Sequence, residues 1–194
     1  MKKPKKRPSK TLQPMSAADV LKFDCEEGWT ENVAPKPKAA LKGLAAAKVA
    51  NWRMAKALEI MRSQVNVMAP KRKIVSDGGI GDPAHQANGS ASDHNPWVRD
   101  GGTGVVTARD FTHDPKGGCD AGKLAASLQA GKDPRLKYVI WDSRIMSSTK
   151  QGTTPAWTWR PYTGKNKHNK HVHISVKASK PQYDGTALWS IKIT

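Results

Sequence analysis

The run His171-Val172-His173-Ile174-Ser175-Val176 decides how this chain folds. In an extended strand successive side chains alternate faces, so Val172 and Ile174 point into a core while His171 and His173 share the opposite face. Upstream stand Ser92-Asp93-His94 and Ala108-Arg109-Asp110. Two imidazoles on one face, joined by a further His and an Asp, supply the nitrogen and oxygen donors of a metal site that keeps a fourth position open for water.

The chain has 194 residues, enough for one domain with a proper core and too few for two. Seven Trp give it large flat side chains suited to packing or to stacking on sugar faces. The net charge of +17 is uneven: residues 1–73 hold 17 Lys/Arg against 6 acids, residues 74–194 hold 16 against 10. Such a field attracts polyanions generally, whether nucleic acid, anionic wall polymer or membrane surface. Cys25 and Cys119 form no CxxC pair, so they read as two free thiols in a reducing compartment rather than a zinc finger or disulfide framework. The charged start Met1-Lys2-Lys3 is followed by no apolar stretch of the secretory kind, and no run approaches the ~20 apolar residues of a membrane span.

Residues 1–40 read as a basic, partly disordered extension, Lys/Pro-rich at first and proline-punctuated again at Ala34–Lys38. Residues 41–194 form the domain. It opens with a helix over about 41–68, where Leu44, Ala47, Met54, Leu58, Met61 and Val65 recur at three- and four-residue steps until Pro70 stops them. Beyond lie Gly/Asp/Asn-rich loops, β-like runs at Val105–Asp110, Tyr138–Trp141 and His171–Val176, and one helix from Asp120 to Gly131. That order predicts an α+β fold: a small, mostly antiparallel sheet with helices to one side and the metal site on the sheet.

The three polar segments resemble the signature of the zinc peptidase superfamily that joins lysostaphin-type endopeptidases, D-alanyl-D-alanine peptidases of the M15 type and the hedgehog signalling domain. Its Ser-x-His, Ala-x-Asp and terminal His-x-His occur here in order as Ser92-Asp93-His94, Ala108-Arg109-Asp110 and His171-Val172-His173, within residues 75–176. The resemblance implies that His94, Asp110 and His173 bind Zn2+ and that His171 stays unligated beside the metal as the catalytic base. It further implies a peptidoglycan substrate and an enzyme of the phage endolysin or virion-associated lysin kind. Such an enzyme is held in the bacterial host cytoplasm until lysis, or packaged with other components of a phage particle.

Two departures qualify the match. Fifteen residues intervene between His94 and Asp110, and Trp97–Gly104 reads as a hairpin insertion that leaves the ligands in place. Many M15 peptidases place a catalytic Glu or Asp just before the final His, whereas here no acid lies between Asp142 and Asp184, so the resemblance implies that either His171 does the acid/base work, as in the lysostaphin-like branch, or His168 contributes. Ser92 and Asp93 either orient a ligand imidazole or cap a turn. Arg144 either holds a substrate carboxylate or forms a surface ion pair. Trp157, Trp159 and Tyr162 either line a peptide or glycan groove or pack the core. His85 and His113 read as structural, and Gly78-Gly79-Ile80-Gly81 as a turn. The rival class is a non-catalytic protein on the same fold, either binding wall polymer or nucleic acid through its basic N-terminal region or serving as a structural phage component.

Overall fold

A computed structural model describes residues 51–81 and 91–194 of the chain. The basic extension over residues 1–40, the first part of the expected helix (41–50) and His85 lie outside the described residues. Trp52–Met54 (β1) is a strand, not helix: it pairs in parallel with Thr103–Val106 (β3). The Ala55 N–H donates to the Val106 carbonyl, so the backbone stays extended until Ala55 and the helix starts only at Lys56. That helix, α1 (Lys56–Met68), buries Ala57, Leu58, Ile60, Met61 and Val65 along one stripe.

The β-like run Val105–Asp110 is two strands. At the buried Thr107 the chain leaves β3 and enters Ala108–Thr112 (β4) in a different sheet. Val98–Asp100 (β2) pairs antiparallel with β3 across Gly101-Gly102, with Gly101 at φ +59°, where a side chain would be strained. This is the hairpin insertion expected between the first His and the Asp. The three strands lie in the order β1-β3-β2.

The second sheet joins β4 to Leu136–Trp141 (β5), Arg144–Ser147 (β6), Trp159–Pro161 (β7) and His171–Val176 (β8). Its order is β4-β8-β5-β6-β7, and it is antiparallel throughout. Directly paired residues share a face. Phe111↔Val172 and Val139↔Ile174 therefore fix one face as apolar, and Asp110↔His173 and Thr112↔His171 fix the other as polar.

The apolar face joins Leu58, Met61 and Val65 of α1, and Leu124 and Leu128 of α2 (Ala121–Gly131), in one buried cluster. Each such side chain contributes ~1.5–3 kcal/mol by leaving water. Asp120 caps α2 by accepting from the Gly122 and Lys123 N–H groups. Trp189 and Ile193 of the C-terminal segment close the same cluster, after a short helix α3 (Lys180–Tyr183). Cys119 is free and buried, and burial pushes its thiol up to about 11, which leaves it a packing residue. Helices on one side and the polar face on the other give the α+β arrangement expected, with a second small sheet added. Among the described residues no helix is long and apolar enough to cross a membrane.

Candidate metal centre

The centre is built where β4 and β8 run side by side. Asp110 and His173 are direct cross-strand partners, so their side chains leave the sheet together. His94 arrives from the loop before β2. The Asn95 N–H donates to the Ser92 carbonyl to turn that loop, and the Thr107 N–H donates to the Asp93 carbonyl to fasten it. A third segment covers the site. Gly78 forms an antiparallel bridge with Asp110, and the Gly81 N–H donates to the His94 carbonyl. A Cβ on Gly78 would sit 2.7 Å from Asp110 Oδ2, so only glycine allows this approach. Asp77 anchors the segment, accepting from the Thr112 N–H and hydroxyl while pairing with the buried Arg72.

His94 Nε2, His173 Nδ1 and Asp110 Oδ1 converge. The two nitrogens are 3.0 Å apart, and the carboxylate oxygen is 3.3 Å from His94 Nε2 and 3.1 Å from His173 Nδ1. A tetrahedral ion with bonds of ~2.0–2.1 Å spaces its donors ~3.3 Å apart, so the triangle fits a small divalent cation closely. The opposite ring nitrogens are both occupied. His94 Nδ1 lies 2.5 Å from the Gly79 carbonyl, which can only accept, and His173 Nε2 lies 3.0 Å from Ser175 Oγ. With hydrogens on those outer nitrogens, two lone pairs and a carboxylate oxygen meet at one point. Only a positive charge makes that stable. These three residues form a buried group able to hold a metal ion.

The electrostatics agree. Burial works to raise the Asp110 pKa, but the His173 and His94 hydrogen bonds outweigh it and hold the carboxyl far below the usual carboxylate range. Burial also pulls His94 down, yet Asp110 outweighs it and leaves His94 above the ordinary imidazole value. His173, enclosed on all sides, is driven below that value by burial.

A cavity of about 300 Å³ opens on His94 and Asp110, lined by Ser76, Asp77, Gly78, Ile80, Gly81, His94, Asp110 and His171. His171 Nε2 stands 3.7 Å from Asp110 Oδ2, beside the ligand atoms and not among them. His168 is buried, its ring edge-on to His171 at 5.0 Å and to His173 at 5.6 Å, and Tyr162 packs on its far side at 5.6 Å. It adopts φ +53°, held by an N–H bond to Asn166 Oδ1 and a ring bond to the Asn166 carbonyl. Burial, with the charges of His173 and His171, pushes His168 down to about 4, so it is neutral near pH 7.

Other sequence candidates lie elsewhere. Trp159 pairs with Met146, which pairs with Val139, so it stands on the helix side of the sheet, where its Nε1–H donates to Gln129 Oε1 of α2. Arg144 lies over the Trp159 ring at 5.3 Å on that same side. Trp157 packs against the core. His113 accepts from the Ala121 N–H and packs on Trp141, a structural role. Asp93 does not reach the His94 ring: its carboxylate accepts from Lys137 and from Trp97 Nε1–H.

The imidazole-orienting groups are instead the Gly79 carbonyl and the Ser175 hydroxyl, and sequence reading missed both. The signal for Gly79 was a glycine-rich stretch where a backbone can press close to a side chain. That for Ser175 was its place two residues beyond His173 on a strand of period two. Compared with known proteins, the chain matches no family model, no curated protein and no solved structure.

Proposed function

We propose that this chain is a zinc-dependent peptidoglycan peptidase. The convergence of His94 Nε2, Asp110 Oδ1 and His173 Nδ1 at 3.0–3.3 Å, beside a cavity that His94, Asp110 and His171 line, carries that reading. Zinc held by these three residues would supply Lewis acidity, which acidifies water and polarises a scissile carbonyl.

The protein's own groups do the rest. His171 lines the cavity and can take a proton from water and return it to the leaving amine. His168 is less suited, because it is buried and its Nδ1 is engaged by the Asn166 carbonyl; it braces His171 from the side. The Gly78–Gly81 segment forms one wall against which an extended peptide can lie.

The rim has a sign. Between Tyr162 and His171, beside His168, there are three Lys and no acid. Arg160 shares the face of His173, through the register Arg160↔Ile145, Ile145↔Ile140 and Ile140↔His173. Lys165, Lys167 and Lys170 ride the loop that carries His168 and are exposed. This favours an anionic wall as the surface on which the enzyme acts, from a phage particle or after host lysis. The same rim is the observation that favours the second reading, a polyanion binder without catalysis.

Incubating the full chain with bacterial sacculi, with and without chelator and zinc add-back, separates the two. New amino and carboxyl termini that vanish with chelator establish the peptidase and name its bond. Sacculi that stay intact while the protein holds zinc refute it.

A further inference from the structure

Five large apolar side chains are exposed among the described residues, and three of them, Met68, Ile74 and Val75, fall in the short stretch that follows α1. Ile74 is 61% exposed and Val75 84%. Single exposed aliphatics are ordinary, but several at one place mark a contact surface. The stretch is braced at both ends. The Arg72 N–H donates to the Ala69 carbonyl, and the Asp77 N–H donates to the Ile74 carbonyl. Arg72 is buried, its guanidinium bonding Asp77 at 2.6 and 2.8 Å and Asn66 Oδ1 at 2.9 Å. The Lys73 N–H donates to Asp114 Oδ2 and the Ser76 N–H to Thr112 Oγ1. Ile74 and Val75 therefore stand at the tip of a held loop.

The charge around the tip has one sign. Lys71 and Lys73 are exposed on the loop itself. Lys116 is exposed on the adjoining turn, where a Cβ on Gly117 would sit 2.9 Å from Arg72 Cα. None of these lysines forms an ion pair with a described carboxylate. The acids of the same two turns, Asp77 and Asp114, are engaged by Arg72 and by the Lys73 N–H.

This combination selects its partner. Residues 1–50 hold 11 Lys/Arg against 5 acids, and the whole chain carries +17, so neither that extension nor a second copy offers the opposite charge. A phosphate polymer would satisfy the lysines but gains nothing from aliphatic side chains, and the tip carries no aromatic ring to stack on a base or sugar. An anionic bilayer answers both, its headgroups taking the lysines and the acyl boundary taking the aliphatics. We propose that the Lys71–Val75 loop is a reversible anchor to an anionic lipid surface, with Ile74 and Val75 inserted and Lys71, Lys73 and Lys116 on the phosphates. Ser76 and Asp77, which line the cavity, follow the tip directly, so the anchor holds the cavity beside the membrane. This binding stands or falls independently of the metal reading.

Flotation of the full chain with vesicles of phosphatidylcholine, alone or in equimolar mixture with phosphatidylglycerol, tests it. Wild type should bind the mixed vesicles and not the neutral ones. Ile74→Ser/Val75→Ser should weaken that binding by about 10-fold. Lys71→Ala/Lys73→Ala/Lys116→Ala should weaken it by about 100-fold. Both variants should melt as wild type does, because the altered side chains are exposed. Lys150→Ala/Lys165→Ala/Lys167→Ala removes the same charge elsewhere and should bind within a few-fold of wild type. Wild type that ignores the mixed vesicles overturns the proposal, as does a serine variant that floats as well as wild type. An equal loss in the control triple also overturns it, by reducing the attraction to net charge. A wild-type dimer that the serine variant dissolves gives the patch to a second copy and overturns it too.

Discussion

Asp110 and His173 face each other in direct register across β4 and β8, with Oδ1 3.1 Å from Nδ1, so the sheet itself holds two of the three side chains able to hold a metal ion. Replacing Asp110 by Asn keeps the shape and removes the only negative charge among the three donors. Metal affinity should fall by more than the ~10–100-fold that loss of an outer partner costs. A Co2+ titration of Asp110→Asn against wild type measures it, and a loss below 10-fold would show that the carboxylate is not a ligand.

Gly78 and Gly79 are neighbours with opposite sensitivities. A Cβ at Gly78 meets Asp110 Oδ2 at 2.7 Å, whereas one at Gly79 meets only the flexible end of Met54 at 2.8 Å. Gly78→Ala should therefore cost about 1–3 kcal/mol of stability and displace the Asp110 carboxylate. Gly79→Ala should leave Co2+ affinity within a few-fold of wild type. Chemical denaturation and metal titration of the pair test the contrast, and equal effects would contradict the close approach.

His171 lines the cavity and stands outside the ligand triangle. His171→Ala should keep stoichiometric metal and lose hydrolysis by about 10²–10⁴-fold, the usual contribution of a general base. Loss of metal instead would make His171 a ligand. The lysines of the same rim act differently, through long-range charge. The triple variant Lys165→Ala/Lys167→Ala/Lys170→Ala should bind sacculi more weakly and with a shallower salt dependence, at unchanged melting temperature, because none of these side chains pairs with a described carboxylate.

The α+β class and the faces of β8 were legible because alternation in His171–Val176 is local and the core behind it is apolar. The start of α1 was not. Leu44, Ala47 and Met54 continue the helical stripe, while β1 is three residues long, too short for a period of its own, and exists only through pairing with β3 some fifty residues away. The side on which Arg144 and Trp159 fall depends on strand register, which composition does not carry. Asp93 was read with His94 because they adjoin, yet consecutive residues here diverge, one to Lys137 and the other to the trio. The Gly79 carbonyl has no side chain to read at all.

One ion-pair cluster ties the small sheet to the C-terminal helix, and its pH response follows from the direction of its shifts. Arg53 pairs with Asp184 at 2.8 Å and with Asp100 at 2.7 Å, and Lys180 bonds both acids. Burial tends to raise the Asp184 pKa, but Arg53 and Lys180 outweigh it and hold it below the ordinary carboxylate value; Lys180 and Arg53 hold Asp100 below it too. A carboxyl whose folded pKa lies below its unfolded value of ~3.9 stabilises the fold above that value and loses this as pH falls through the folded pKa. The Lys180 pKa is raised, so its share is complete below the unfolded lysine value of ~10.4 and is lost only as pH rises beyond it. Asp184→Asn should thus melt a few degrees below wild type at a constant gap from about pH 5 to 9, with the gap closing below about pH 4. Melting curves across that range test it, and a gap that persists at pH 2.5 would place the stabilisation in packing and not in charge.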